Sequence, residues 1–81
     1  MVKTMLELVE YMVKALVDHP EAVVVKQTAE DEDSVTIELS VAQEDMGKVI
    51  GRQGRTSKEI RAIIKAASAG MDRKVLVEIV D

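Results

Sequence analysis

The spacing of the apolar residues changes from helical to alternating twice along the chain, and this order limits the possible folds more than any other feature. Thr4 and Glu7 have the spacing of a capping box, which predicts a helix that begins at Thr4. Pro20 is predicted to end this helix, because the residue before a proline is pushed out of the helical region. Between them, apolar side chains recur with helical period at Met5, Val9, Met12 and Leu16.

An alternating segment follows this first helix. Residues 22–28 are rich in valine, and apolar and polar side chains alternate from Val35 to Val41, which predicts two strands paired as a hairpin. The acidic run from Glu30 to Asp33 lies between the two strands and is predicted to form a solvated hairpin loop, because like charges at this density stay in water. A hard-cation site is the alternative, but the run lacks spaced ligands and a glycine to turn the loop.

The second half of the chain predicts two helices and a strand. A short helix fits residues 43–49, with Glu44 and Asp45 in its first turn, where carboxylates suit the helix dipole. A third helix is predicted over residues 55–69, and Gly70 is predicted to end it as a left-handed cap. One side of this helix is predicted to pack, through Ile60, Ile63, Ile64 and Ala67, and the other is cationic, with Lys58, Arg61 and Lys65. Val75, Val77 and Ile79 alternate in a final strand, so the element order is αββααβ.

The chain is acidic as a whole but contains one basic segment. A formal charge of −4 by itself argues against a polyanionic partner. Residues 47–65, however, hold six basic residues and one acid, a net charge of +5, which leaves −9 on the remainder. An acidic body would repel a polyanion everywhere except at this segment, which favours a local and oriented site. Because 81 residues can bury only one modest core, residues 1–81 are predicted to form one domain.

Two glycines lie three residues apart where the second and third helices meet. Gly51 and Gly54 permit a tight turn with positive φ angles, and their bare backbone lets a phosphate chain come close. The helix that begins at Arg55 directs unpaired N–H groups into the same space, which favours an anion. Two glycines near a helix junction are more often a structural turn, but Val49 and Ile50 before them and the surrounding basic residues favour a binding loop.

The segment from Val49 to Arg55, with Ile60 after it, resembles the V-I-G-x-x-G signature of KH domains. Among these, the whole chain resembles the short bacterial KhpA family, including Glu44 to Gly47 before the loop and Ile64 to Ala67 after it. The resemblance implies an α+β fold, the type II KH domain, with three helices packed on one face of a three-stranded mixed sheet. It also implies a single KH domain over residues 1–81 with its GXXG loop at residues 51–54.

What the resemblance implies about function is the binding of single-stranded RNA. Such domains hold about four nucleotides, with the GXXG loop on the backbone and the bases over an apolar groove. In this sequence the phosphate contacts fall to Gly51, Arg52, Gln53 and Gly54. Electrostatic support is expected from Lys48, Arg55, Lys58 and Arg61, and Val49 and Ile50 are expected to border the groove. Thr56 departs from the family pattern, in which an apolar residue often follows the loop.

The same resemblance implies partners and a cellular role. Proteins of this kind form homodimers or pair with a larger Jag-like KH protein, and they influence the cell envelope and cell division. A cytoplasmic RNA chaperone or post-transcriptional regulator is therefore expected, without a cofactor, a metal, a small-molecule substrate or membrane insertion.

The main alternative is a protein-interaction module, a KH fold that acts as a subunit of a larger complex and contacts RNA only incidentally. The net acidity slightly favours this alternative. An enzyme is a distant third, because His19 is the sole histidine and neither a nucleophile nor a paired carboxylate can be argued to converge on it.

Overall fold

The computed structural model describes the backbone of residues 2–80 and the side chains of residues 4–80. Within this range the order of helices and strands is αββααβ, as predicted. The elements are α1 (Val2–Lys14), β1 (Val24–Glu30), β2 (Ser34–Ser40), α2 (Met46–Ile50), α3 (Arg55–Ala67) and β3 (Lys74–Val80). Single 3₁₀ turns at Pro20–Ala22, Gln43–Asp45 and Arg52–Gly54 lead into β1, α2 and α3. None of the helices described is both long enough and apolar enough to span a lipid bilayer.

The three strands form a mixed sheet in the order β1-β2-β3. The central strand β2 pairs antiparallel with β1, with Val24 opposite Ser40, and parallel with β3, with Ile37 opposite Val77. An irregularity between Gln27 and Ala29 shifts the register of β1. The mixed sheet is therefore confirmed, and β3 lies at one of its two edges.

The core lies between the helices and one face of the sheet. Every second residue of β2 is fully buried, and these are Val35, Ile37 and Leu39. The helices contribute Val9 and Val13 from α1, Val49 from α2, and Ile60 and Ile64 from α3. Because a strand buries alternate side chains on one side, this arrangement confirms helices packed on one face of the sheet.

The first helix differs from its prediction at both ends. It begins at Val2, so Thr4 lies inside the helix and is not its cap, and it ends at Lys14, well before Pro20. A tight turn follows, in which the N–H of Leu16 donates to the carbonyl of Val13. Leu16 itself is 41% exposed, so it does not extend the buried side of the helix.

The third helix ends earlier than predicted, and the prediction for Gly70 is wrong. Among the glycines, positive φ angles occur at Gly51 and Gly54 and not at Gly70. The helix ends at Ala67, and Ser68 makes its C-terminal hydrogen bonds instead, because its Oγ and its N–H both donate to the carbonyl of Ile64, at 2.8 and 2.9 Å. A left-handed glycine is then not needed to satisfy that carbonyl.

The packed side of α3 was also only partly predicted. Ile60 and Ile64 are buried, but Ile63 is 47% exposed and Ala67 is exposed as well. The buried stripe instead continues through two serines, Ser57 and Ser68. Their hydroxyl groups donate to carbonyl oxygens of their own chain, at Gly54 and Ile64, so they can be buried without an unsatisfied donor.

The hairpin turn is shorter than predicted. Glu30 belongs to β1, and the turn consists of residues 31–33. The Asp31 carboxylate accepts hydrogen bonds from the backbone N–H groups of Asp33 and Ser34, at 2.8 and 2.7 Å. These two bonds hold the pKa of Asp31 below its ordinary value.

Candidate nucleic-acid interface

The glycine loop between α2 and α3 is a turn in which three of four positions have positive φ angles. Gly51 has φ 76° and Gly54 has φ 75°, while Gln53 has φ 58° and lies in the left-handed region although it is not a glycine. The N–H of Gly54 donates to the carbonyl of Gly51 at 3.1 Å and closes the turn. Helix α3 begins directly afterwards at Arg55, so its unpaired N–H groups lie at the loop.

The two glycines serve the loop in different ways. A Cβ atom at Gly51 would lie 2.8 Å from both the Cβ and the backbone nitrogen of Thr56, closer than atoms can pack. Thr56 is partly buried here, so it fills the space next to Gly51 and closes the loop onto α3. A Cβ atom at Gly54 would meet only the Oγ of Ser57, at 3.8 Å. The backbone at Gly54 is therefore open to approach from outside.

Three basic side chains around the loop are not neutralised. Arg52, Arg55 and Lys58 are exposed, and the ion pairs within residues 4–80 include none of them. Gln53 is exposed between the two arginines in sequence. The turn thus has positive charge on either side of an open backbone, which is an arrangement that suits a phosphate group.

Lys48, which was expected to support the same site, is paired with acids. Its Nζ forms an ion pair with Asp18 and lies 4.0 Å from the buried carboxylate of Asp45. The hydrogen bond to Asp18 raises the pKa of Lys48, and the same bond lowers the pKa of Asp18. The positive charge of Lys48 is therefore partly neutralised by acids of the protein itself.

The two apolar residues before the loop have opposite environments. Val49 is fully buried in the core, so the expectation that its side chain borders a groove is wrong, and it anchors the loop instead. Ile50 is 40% exposed and remains available at the surface. The helical turn accounts for the difference, because successive residues point about 100° apart and only one of the pair can face the sheet.

An open groove of about 1050 Å³ lies between α3 and the outer edge of β3. Arg61 lines it, and the Nε of Arg61 donates to the carbonyl of Val77 at 3.2 Å, so this side chain lies against the strand. Lys65 and Lys74 also line the groove but were not among the residues predicted for the site. Lys65 lies on the predicted cationic face of α3, whereas Lys74 lines the groove because β3 runs beside that helix.

Asp45 is a buried acid that the sequence pattern did not distinguish from its exposed neighbour Glu44. Only 1% of its surface is exposed, and its two carboxylate oxygens accept hydrogen bonds from the backbone N–H groups of Asp18 and His19, at 3.1 and 3.0 Å. These bonds tie the segment after α1 to the start of α2. Since the partners are 26 and 27 residues away in sequence, no local pattern could have identified them.

Comparison with known proteins gives sequence relatives and a structural neighbour. The sequence model of the family described as KhpA/KhpB, KH domain, matches residues 6–79. The chain is 53% identical over 76 residues to the RNA-binding protein KhpA of Clostridium perfringens, which covers 94% of this chain and 100% of the relative. It is 50% identical over 76 residues to the RNA-binding protein KhpA of Listeria monocytogenes, with 93% and 97% covered. The crystal structure of Aquifex aeolicus Era superposes with a TM-score of 0.68 at 17% identity, over 95% of this chain and 31% of Era, which supports the fold.

Proposed function

The chain belongs to the KhpA/KhpB family of KH domains, and on this basis we propose that it binds short segments of single-stranded RNA without catalysis. The observation that supports this proposal most directly is the loop at residues 51–54. Its backbone is open at Gly54, it lies at the start of α3, and the exposed side chains of Arg52 and Arg55 flank it and form no ion pair within residues 4–80. The relatives that share about half of its residues are named RNA-binding proteins.

In this proposal the loop holds the RNA backbone. A phosphate group approaches the exposed backbone of Gly54, where a Cβ atom would otherwise stand in the way. The N–H groups at the start of α3 and the side chains of Arg52, Arg55 and Lys58 then supply hydrogen bonds and charge to the phosphate oxygens. Gly51 contributes indirectly, because its missing side chain lets Thr56 close the turn.

The bases are proposed to lie over Ile50 and along the groove between α3 and β3. Ile50 is exposed beside the loop, and the groove provides Arg61, Lys65 and the outer edge of β3. Single-stranded RNA fits such a site better than a duplex, because its unstacked bases can turn into a groove while the bases of an A-form helix remain paired. The lone tyrosine of the chain, Tyr11, lies on α1, so stacking on an aromatic platform is not part of the proposal.

The proposal extends to assembly and cellular role as the family resemblance implies them. A site that holds about four nucleotides binds weakly alone, so a homodimer or a complex with a Jag-like KH protein would add avidity. The protein would then act in the cytoplasm as an RNA chaperone or post-transcriptional regulator, with effects on cell shape and cell wall biogenesis.

The test is a double substitution in the loop, Arg52→Asp with Gln53→Asp. Both side chains are exposed, and aspartate tolerates the left-handed conformation of Gln53 better than most residues, so the fold should persist. The loop charge changes from +1 to −2 where phosphate must approach. Affinity for labelled single-stranded RNA should fall at least about tenfold, or about 1.4 kcal/mol, in a fluorescence titration.

A matched control applies the same change of charge at the opposite edge of the sheet. Lys26→Asp with Gln27→Asp changes one cation and one amide on β1, and both residues are exposed. This variant should bind RNA within about twofold of the wild type, because it leaves the loop intact. Circular dichroism verifies the fold of each variant. If the folded loop variant binds RNA as tightly as the wild type, the loop is structural and the protein-interaction alternative replaces this proposal.

A further inference from the structure

One backbone group on the outer edge of β3 is hydrogen-bonded to a side chain of α3. Among residues 2–80, β3 pairs with β2 on one side only, and its other edge faces the groove. An unpaired strand edge offers alternating N–H donors and C=O acceptors to any ligand that lies along it. At Val77 the carbonyl already accepts one hydrogen bond, because the Nε of Arg61 donates to it at 3.2 Å.

This hydrogen bond changes what the edge offers at Val77. The N–H and C=O of one residue point to the same side of a strand, so the N–H of Val77 faces the groove together with the occupied carbonyl. Arg61 itself is exposed, and within residues 4–80 no hydrogen bond or ion pair involves its two terminal Nη groups. The position therefore presents donors from the backbone N–H and from the two Nη groups, beside a carbonyl that already accepts one hydrogen bond.

A guanidinium group that is held at the strand edge with its two Nη groups free discriminates between the two purines. Guanine offers two adjacent acceptors, O6 and N7, to which an arginine can donate two parallel hydrogen bonds. Adenine offers N7 beside the amino group at N6, which is itself a donor, so one of the two contacts is lost.

We infer that Arg61 is a specificity-determining residue, which makes the groove select guanine over adenine at the base that lies against Val77. This inference rests on the proposed binding of RNA and adds the base preference of that site. It also gives Arg61 a different role from the phosphate-binding cations, because its guanidinium group is held at the groove by the strand edge. A well-placed bidentate contact favours the matching base over another base by about 5- to 150-fold in affinity.

The experiment compares nine-nucleotide RNAs of uridine that differ only in the central base, guanine or adenine. For the wild-type protein, the guanine RNA should bind at least about fivefold more tightly. A third RNA with 7-deazaguanine at the centre lacks the N7 acceptor and should lose most of that advantage. This probe tests the contact in the unmodified protein, so it does not depend on any variant folding.

Two variants that each remove one positive charge from the groove separate specificity from electrostatics. Arg61→Ala removes the guanidinium group and frees the carbonyl of Val77, so the preference for guanine over adenine should fall to within about twofold. Lys65→Ala removes a neighbouring charge, and within the part of the chain that the structure describes Lys65 makes no hydrogen bond to β3. This variant should bind both RNAs more weakly by about the same factor, so the ratio of the guanine and adenine affinities should not change. Circular dichroism again verifies that the variants are folded.

Two results would overturn the inference while leaving the proposed function intact. One is a wild-type protein that binds the RNAs but shows guanine and adenine affinities within about twofold of each other. The other is an Arg61→Ala variant that is folded and keeps the full guanine preference. A wild-type protein that binds none of these three RNAs would overturn the proposed function together with the inference.

Discussion

Gly51 and Gly54 look equivalent in sequence but have different neighbours. Both have positive φ angles, which disfavour any side chain. Gly51 in addition lies against Thr56, while Gly54 faces open space. The two glycines of this loop are therefore not interchangeable. One glycine is required for packing and backbone geometry, and the other for geometry and access.

Alanine at each glycine should separate these two roles. Gly54→Ala should lower the free energy of unfolding by about 1–2 kcal/mol, the cost of a left-handed conformation. Gly51→Ala should cost at least about 1–3 kcal/mol more, because the new Cβ atom overlaps Thr56 and overpacking adds to the backbone cost. Urea denaturation of both variants measures the difference. Equal losses of stability would contradict the packing role of Gly51.

Among the secondary-structure elements, α2 sets the position of the glycine loop, and this helix has only five residues. A helix this short has little intrinsic stability, so its position depends on tertiary contacts. Val49 anchors it in the core, and the Asp45 carboxylate connects its start to the backbone after α1. These two contacts set the place from which the glycine loop begins.

Replacing Asp45 tests the connection between α1 and α2. Asp45→Asn keeps the size but leaves only one acceptor oxygen for two backbone N–H donors, so one part-buried donor loses its partner. The free energy of unfolding should fall by about 1–3 kcal/mol. Glu44→Gln, at the adjacent exposed position, is the matched control and should change stability by less than about 0.5 kcal/mol. Similar effects at the two positions in urea denaturation would argue against the connection.

For the whole molecule, the distribution of charge matters more than its sum. The protein has a net charge of −4, yet Arg52, Arg55 and Lys58 remain free of protein ion pairs among the residues described. The acids that pair with cations lie elsewhere, for example Asp18 with Lys48 and Glu30 with Arg73. A polyanion would therefore be attracted to the loop and repelled by most of the remaining surface.

The salt dependence of RNA binding should report this local charge. If the three free cations each neutralise one phosphate, log affinity should fall with log salt concentration at a slope of roughly −2, since each contact to a single strand contributes roughly −0.7. Titrations between about 50 and 200 mM salt measure the slope. A slope near zero would show that the basic segment does not contact phosphate.

The sequence alone determined the order of the elements and the place of the loop. Hydrophobic spacing distinguishes helices from strands because side chains repeat every 3.6 residues on one face of a helix and every two residues on a strand. The glycine positions were equally predictable, since Gly51 and Gly54 tolerate positive φ angles without the steric cost that other residues pay.

Only the tertiary structure decided which neighbouring residues are buried and which groups they bind. Ile63 is exposed while Ser57 and Ser68 are buried, because the sheet contacts a narrow stripe of α3 and the two hydroxyl groups find carbonyl acceptors there. Asp45 and Arg61 bond to backbone atoms of other elements, at His19 and Val77. Local periodicity describes the shape of one segment, whereas these contacts depend on where distant segments meet, and that is set by the packing of the whole chain.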